Sequence, residues 1–163
     1  MQFHVFMLKV QFTVALSETD IGILEILQGD GRASFSAIAR ELGIAESTVR
    51  YRVEKLKESG VITGFQAHLN PRRVGLGITA IALIKVNAAE IEEASEALAT
   101  FEESHHLFRT TGSHDLFSVV HARDIAHLND LIERIKKIPG VREASVEVAT
   151  HLVKTEPRYK LRK

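Results

Sequence analysis

Apolar residues recur at helical spacing over the first third of the chain and give way to strand-like runs after residue 77. Ser17-x-x-Asp20 has the form of a capping box. Behind it Ile21, Ile23, Leu24 and Leu27 make one helical face, which Gly29-Asp30-Gly31 ends. Ser34 is placed to cap a second helix with Ile38, Ala39 and Leu42 inward, broken at Gly43. A third helix is expected over 46–59, with Val49, Val53 and Leu56 inward and Gly60 as its stop. Residues 61–69 alternate, and Asn70-Pro71 is a turn signal.

From residue 78 the pattern is different. Residues 78–86 are nearly all apolar and rich in β-branched side chains, as a buried strand requires. Residues 89–104 carry Ile91, Ala94, Leu98 and Phe101 at helical spacing. Strands are expected over 107–111 and 116–121, around the turn Gly112-Ser113-His114-Asp115. Ile125, Leu128, Leu131, Ile132, Ile135 and Ile138 form a helical stripe stopped by Pro139-Gly140, and 141–153 is a last strand with Val146, Val148 and Leu152 on one face. The order β-α-β-β-α-β is the ferredoxin-like split arrangement. The fold class is therefore α+β, an N-terminal helix-turn-helix followed by a ferredoxin-like βαββαβ domain. The expected organisation is an arm or strand over 1–16, the helical domain over 17–62, a hinge over 63–76, the βαββαβ domain over 77–153 and a tail over 154–163.

The 163 residues suffice for two small cores, and 45% apolar with 26% charged residues excludes a disordered chain. The absence of cysteine removes disulfides, thiol nucleophiles and cysteine-ligated metals. Residues 1–16 lack a basic leader region and a small-residue cleavage site, so no signal peptide is expected; nor is a membrane span, and the expected location is cytoplasmic. Equal numbers of basic and acidic residues, 21 each, argue at first against a nucleic-acid binder. Their distribution changes that picture. Residues 17–76 are balanced at eight of each sign, 77–153 hold seven basic and twelve acidic residues, and 154–163 hold five basic residues against Glu156.

The spacing Ala39-x-x-x-Gly43-x-x-x-x-x-Val49 carries the helix-turn-helix signal: a small residue where helices approach, glycine at a left-handed turn, and an aliphatic residue where the second helix packs back. Off the apolar stripe of the third helix lie Ser47, Thr48, Arg50, Tyr51, Arg52 and Lys55. Hydroxyls near a helix start can reach phosphates or base edges, and arginine can read guanine with two hydrogen bonds. Glu46, Glu54 and Glu58 dilute this charge, with ion pairs expected at Glu54/Lys57 and Arg50/Glu54. Arg72, Arg73 and the tail can add phosphate contacts. No spacing of the eight histidines matches a metal motif, although His114, His121 and His151 meeting across neighbouring strands would suit a metal or pH-sensing role. Gly75-Leu76-Gly77 lacks a phosphate-loop context, and no nucleophile–base pair can be nominated, so no cofactor, metal or catalytic residue is expected.

The stretch LSETDIGILEILQGDGRASFSAIARELGIAESTVRYRVEKLKESGVITGFQAHLNPRRVG resembles the DNA-binding half of the Lrp/AsnC (feast/famine) regulators of prokaryotes. TTGSHDLFSVV resembles that family's Gly-x-x-Asp loop, and IPGVREASVEV its Pro-Gly-Val lead into the last strand, so the resemblance spans roughly 17–160. It implies a winged or wing-like helix-turn-helix, a linking hairpin over 63–76, and a RAM domain whose sheets pair into homodimers, assembling further into tetramers or octamers. It also implies double-stranded DNA with a pseudo-palindromic operator as a partner, and a small effector, usually an amino acid, bound near the Gly-x-x-Asp loop. By position that loop is Gly112, Ser113, His114 and Asp115, with Val148 and Thr150 as further lining residues. An aspartate there can accept hydrogen bonds from an ammonium group. The chain departs from the pattern at Ala45, where many members have a capping serine, and at Val146, where amino-acid binders often have threonine. A regulator without a small-molecule effector is one alternative. Another is an enzyme of the siroheme decarboxylase type, of which His105, His106 and Arg109 are a faint echo.

Overall fold

The computed structural model describes residues 14–161, so the expected arm over 1–16 falls largely outside the described residues. The chain forms two compact units, one comprising 14–68 and 153–161, the other Leu69–Leu152.

In the first unit, α1 (Glu18–Gly29), α2 (Phe35–Leu42) and α3 (Glu46–Glu58) start and stop where local chemistry directs. Ser17 Oγ accepts the Asp20 N–H at 3.2 Å, and Asp20 Oδ2 accepts the Ser17 N–H at 3.0 Å, closing the capping box. Asp20 is buried, and Arg52 of α3 supplies the nearest cation, 3.7 Å from Oδ2. Ser34 Oγ caps α2 through the Ala37 N–H. Gly43 at φ 65° makes the left-handed turn into α3, whose first residue follows an Ala45 that has no side-chain cap. Ile23, Ile38, Ala39, Val49 and Val53 form the core, with Phe35, Leu42, Ile44 and Ile62 packed around it.

Among the described residues, 61–70 form no strand, and the linking hairpin expected over 63–76 is absent. Its alternating side chains have no ladder partner within the chain, and Phe65 and Leu69 are exposed. Asn70 instead caps a 3-10 turn at Pro71–Val74. The returning segment 153–161 docks on α1. Gln28 Oε1 accepts the Tyr159 N–H at 2.6 Å and Gln28 Nε2 donates to the Tyr159 carbonyl at 3.2 Å. Arg158 holds the neighbouring Glu156 carboxyl down to about 2 through its side-chain and backbone hydrogen bonds.

The second unit is one antiparallel sheet in the order β2-β3-β1-β4, built from β1 (Ile78–Val86), β2 (Ser104–Arg109), β3 (Leu116–Ala122) and β4 (Val141–Val148). Helices α4 (Ile91–Ala99) and α5 (Ile125–Lys136) pack on one face. Alternation puts Ala80, Ala82, Ile84 and Val86 of β1, and Leu116, Val120 and Ala122 of β3, against Ala94, Leu98, Leu128, Leu131 and Ile135. Helix α4 ends earlier than its apolar pattern suggests, because 100–103 must turn to bring β2 to the sheet edge. Glu103 pins that turn: its Oε1 accepts from His127 Nε2 at 2.9 Å and from Arg134. Burial works to raise the Glu103 carboxyl, but hydrogen bonds from His127, the backbone and Arg134 outweigh it and hold the group below the usual carboxylate range. Strand β4 stops at Val148 rather than 153, because β1 begins at Ile78 and the last backbone bond runs from Ala149 N–H to the Thr79 carbonyl.

Gly140 leads into β4 at φ 81°, and a Cβ there would lie 2.4 Å from the Glu90 Cβ. Gly140→Ala thus combines a left-handed backbone with a collision, and should destabilise the protein by about 1–3 kcal/mol, read as a lowered Tm in thermal unfolding.

Candidate nucleic-acid interface and effector cavity

Helix α3 shows two flanks outside its buried stripe. Ser47, Arg50, Tyr51 and Lys55 are exposed at positions three and four apart, and therefore share one face. Thr48 and Arg52 lie four apart on the other flank and are half-buried, with Arg52 directed at the capping box of α1. The structure therefore gathers four of the six expected DNA-contacting residues on an open surface and gives Arg52 a structural partner.

All four α3 cations have a carboxylate beside them. Arg50 pairs with Glu46 at 3.3 Å, not with Glu54 as expected, and its guanidinium sits 5.1 Å from the Phe35 ring centroid. Lys57 pairs with Glu54 as expected. Lys55 donates to Glu58 at 2.7 Å, and that bond, with the Glu58 charge, raises its pKa. Exposed pairs of this kind contribute little to stability, so a phosphate can replace the carboxylate at little expense. Tyr51 stands in the open beside Lys55.

In the sheet unit the turn Gly112-Ser113-His114-Asp115 joins β2 to β3. Gly112 and Ser113 are exposed, Ser113 Oγ contacts His114 Nδ1 at 3.1 Å, and Thr110 Oγ1 donates to the His114 carbonyl. Asp115 does not offer its whole carboxylate to a ligand. Its Oδ2 accepts the Val86 N–H at 2.8 Å, while its own N–H donates to the Ile84 carbonyl. The pairing of β1 with β3 ends at Ile84↔Leu116, so the side chain supplies the acceptor that the strand no longer provides.

A cavity of about 190 Å³ opens beside this bond, lined by Val86, Ala88, Ile91, Arg109, Thr110 and Asp115. Arg109 is also paired with Glu92. Five of these six residues were not expected as lining from the sequence, although the strand that pairs with the turn and the residue preceding Thr110 are where its neighbours should be sought. Val148 and Thr150 are elsewhere. Val148 stands opposite Ala80, Asp115 beside Ile84 and Val86, and the interval along β1 is about 14–20 Å. Thr150 is exposed beyond β4. One chain therefore does not bring the two expected halves of the effector site together.

His114 precedes β3 and His121 lies near its far end, so His114, His121 and His151 do not meet across strands, an arrangement less common than solvent-facing or hydrogen-bonded histidines; His121 contacts His105 instead. Among the described residues no group of side chains is arranged to hold a metal ion. His105 and His106 follow Ser104 at the start of β2 and Arg109 ends it, paired with Glu92, so the three residues that echoed a decarboxylase do not converge.

A helix-turn-helix with an open polar face on its second helix, joined to a ferredoxin-like unit with a small cavity lined half by polar and half by apolar residues, is the make-up of a DNA-binding regulator with a ligand-binding domain. Comparison with known proteins agrees. Residues 16–63 match the winged helix-turn-helix DNA-binding model, and residues 79–159 match the Lrp/AsnC ligand-binding domain. The HTH-type transcriptional regulator FL11 of Pyrococcus abyssi is 38% identical over 145 residues, covering 88% of this chain and 96% of the relative. The solved AsnC of E. coli superposes with a TM-score of 0.81 at 27% identity, covering 87% of this chain and 97% of that one. The leucine response regulatory protein LrpA of Mycobacterium tuberculosis does so with a TM-score of 0.81 at 26% identity, covering 88% and 99%. The chain belongs to the Lrp/AsnC family of transcriptional regulators.

The Asp115–Val86 bond separates structural from ligand roles at the turn. Asp115→Ala should destabilise the protein by about 1–3 kcal/mol through an unpartnered N–H, whereas Asp115→Asn retains an acceptor and should lose much less; chemical denaturation compares the two.

Proposed function

We propose that the protein is an amino-acid-responsive regulator that reads a pseudo-palindromic operator as a homodimer or a larger assembly of dimers. The observation that carries the DNA reading is the single exposed face of α3, where Ser47, Arg50, Tyr51 and Lys55 project from a helix seated by Val49, Val53 and Leu56. In the major groove Arg50 exchanges Glu46 for a base edge or phosphate, and Lys55 exchanges Glu58 for a phosphate. Arg52, tied to Asp20, sets the angle of α3 on α1 and makes at most a peripheral contact.

The cavity beside Asp115 supports the effector reading. Its volume, about 190 Å³, is below that of sites for drug-sized ligands and suits a small metabolite. Arg109 faces a carboxylate, the remaining oxygen of Asp115 faces an ammonium, and Val86, Ala88 and Ile91 face an apolar side chain. Gly112 and Ser113 on the adjoining turn are exposed, where a second copy can complete the site. Pairing of the open sheet face, which presents Ile81, Leu83, Phe117 and Val119, supplies the dimer. Among the described residues no helix is long and apolar enough to cross a membrane, in keeping with a regulator that works in the cytoplasm.

Arg50→Ala should weaken binding to the operator by about 5- to 150-fold while leaving assembly size unchanged, as measured by DNA titration and light scattering; undiminished affinity removes α3 from the groove. A thermal-shift screen against the twenty amino acids should find at least one that raises Tm, with the rise reduced in Arg109→Ala. An equal rise in that variant removes the cavity from the effector site.

A further inference from the structure

Strand β2 departs from simple alternation in a way that gathers histidines. Ser104 faces the helices, with its Oγ 2.8 Å from the buried Ser118 Oγ, and Leu107 packs into the core. Two residues lie between them, where a regular strand would have one, and the pairing with β3 slips between Ser104 and His106. This bulge leaves two consecutive residues, His105 and His106, exposed on the face away from the helices. The His105 ring meets His121 edge to face at 4.5 Å between centroids, and His106 lies parallel to Phe108 at 6.2 Å.

His121 is the innermost of the three. Its Nδ1 is 3.0 Å from Thr79 Oγ1 on β1, its directly paired residue, and its N–H donates to the Glu103 carbonyl. Burial lowers its pKa, and the neighbouring His105 and His106 lower it further. The histidines border an apolar patch: His106 is paired with Val119, Phe108 with Phe117, and Ile81 and Leu83 continue the patch across β1. The other charged groups on this face belong to β1 and β4. Glu147 is opposite Ile81, and Lys85 pairs with Glu143 at 2.8 Å towards the far end. The carboxylate of Glu103 is occupied by His127 and Arg134.

Whatever covers Val119 and Ile81 strips water from the imidazoles beside them. We propose that His105, His106 and His121 make the pairing of this sheet face with a second copy of the chain sensitive to pH, the assembly loosening on acidification. The inference rests on the paired-sheet reading above. An imidazolium is more costly in the covered face than on the separated chain, so separated chains bind more protons. Pairing is then strongest above the histidine range and weakens as pH falls through it. A further depression of one pH unit in each of two chains corresponds to about a hundredfold in the dissociation constant.

The test is sedimentation equilibrium of the full chain from about pH 8 to about pH 5.5 at constant ionic strength, with circular dichroism to confirm folding. The dissociation constant of the wild type should rise at least about tenfold across this range, and the combined variant His105→Gln, His106→Gln, His121→Gln should stay nearly flat. Should that variant not fold, His121→Gln alone should show a reduced rise. An equal rise in the variant, or a flat wild type, overturns the proposal. Failure of the paired-sheet reading is separate: Leu83→Asp, or Val119→Lys if that does not fold, should be monomeric at pH 8. A folded Leu83→Asp that remains a dimer, or a wild type monomeric at every pH, overturns that reading and the histidine proposal with it.

Discussion

Strand β1 has hydrogen-bonded neighbours on both edges, and the second unit is organised around satisfying its backbone. Along Ile78–Val86 the two ladders bond most of its peptide groups, while its alternate side chains fill the space beneath α4 and α5. The difficulty arises where β3 turns away before β1 has ended. The Val86 N–H is left in a half-buried position, and Asp115 closes the gap with a carboxylate oxygen. Together with the Asp115 N–H on the Ile84 carbonyl, that bond fixes the Gly112–Asp115 turn to the central strand, and brings Val86, Thr110 and Asp115 together as cavity walls. The candidate ligand site and the sheet's edge repair are the same piece of structure.

The helical unit depends on a comparable economy of charge. A buried Asp20 closes the capping box, Arg52 accompanies it, and α3 is thereby joined to α1 by a polar contact beside the apolar one. The other three cations of α3 are matched by exposed glutamates of the same helix. Such a helix attracts DNA weakly over distance, and its preference develops at contact, where phosphates and base edges compete with nearby carboxylates. In the assembly proposed above, repeated copies would raise the effective concentration of each reader on its site. The balanced charge of the whole chain is therefore compatible with a DNA-binding protein that works by multiple modest contacts.

The elements legible in the sequence are those whose ends are decided by neighbouring residues. Ser17 with Asp20, Ser34, and glycine at Gly43 and Gly60 fix helix ends through bonds three or four residues long, and β-branched runs mark β1. Where the deciding partner is distant, the pattern misleads. Residues 61–69 alternate like a strand but have nothing in the chain to pair with, and β4 is cut short by the start of β1. The site divides in the same way. The exposed α3 face follows from helical spacing alone, whereas Arg52's turn towards Asp20, the use of Asp115 by Val86 and the separation of Val148 from the Gly112 turn all depend on cross-element register.

The bulge in β2 makes the open face depend on residue count as well as residue identity. A regular strand can present only every second side chain to that face, so two adjacent histidines together are possible only through one supernumerary residue. Loss of any single residue between Ser104 and Leu107 would restore even parity, keep both flanking residues turned to the helices and halve the imidazole content of β2 on the exposed side. A change in chain length would thus retune the surface while leaving the core composition intact. At this edge, insertions and deletions are as direct a route to an altered exposed face as substitutions.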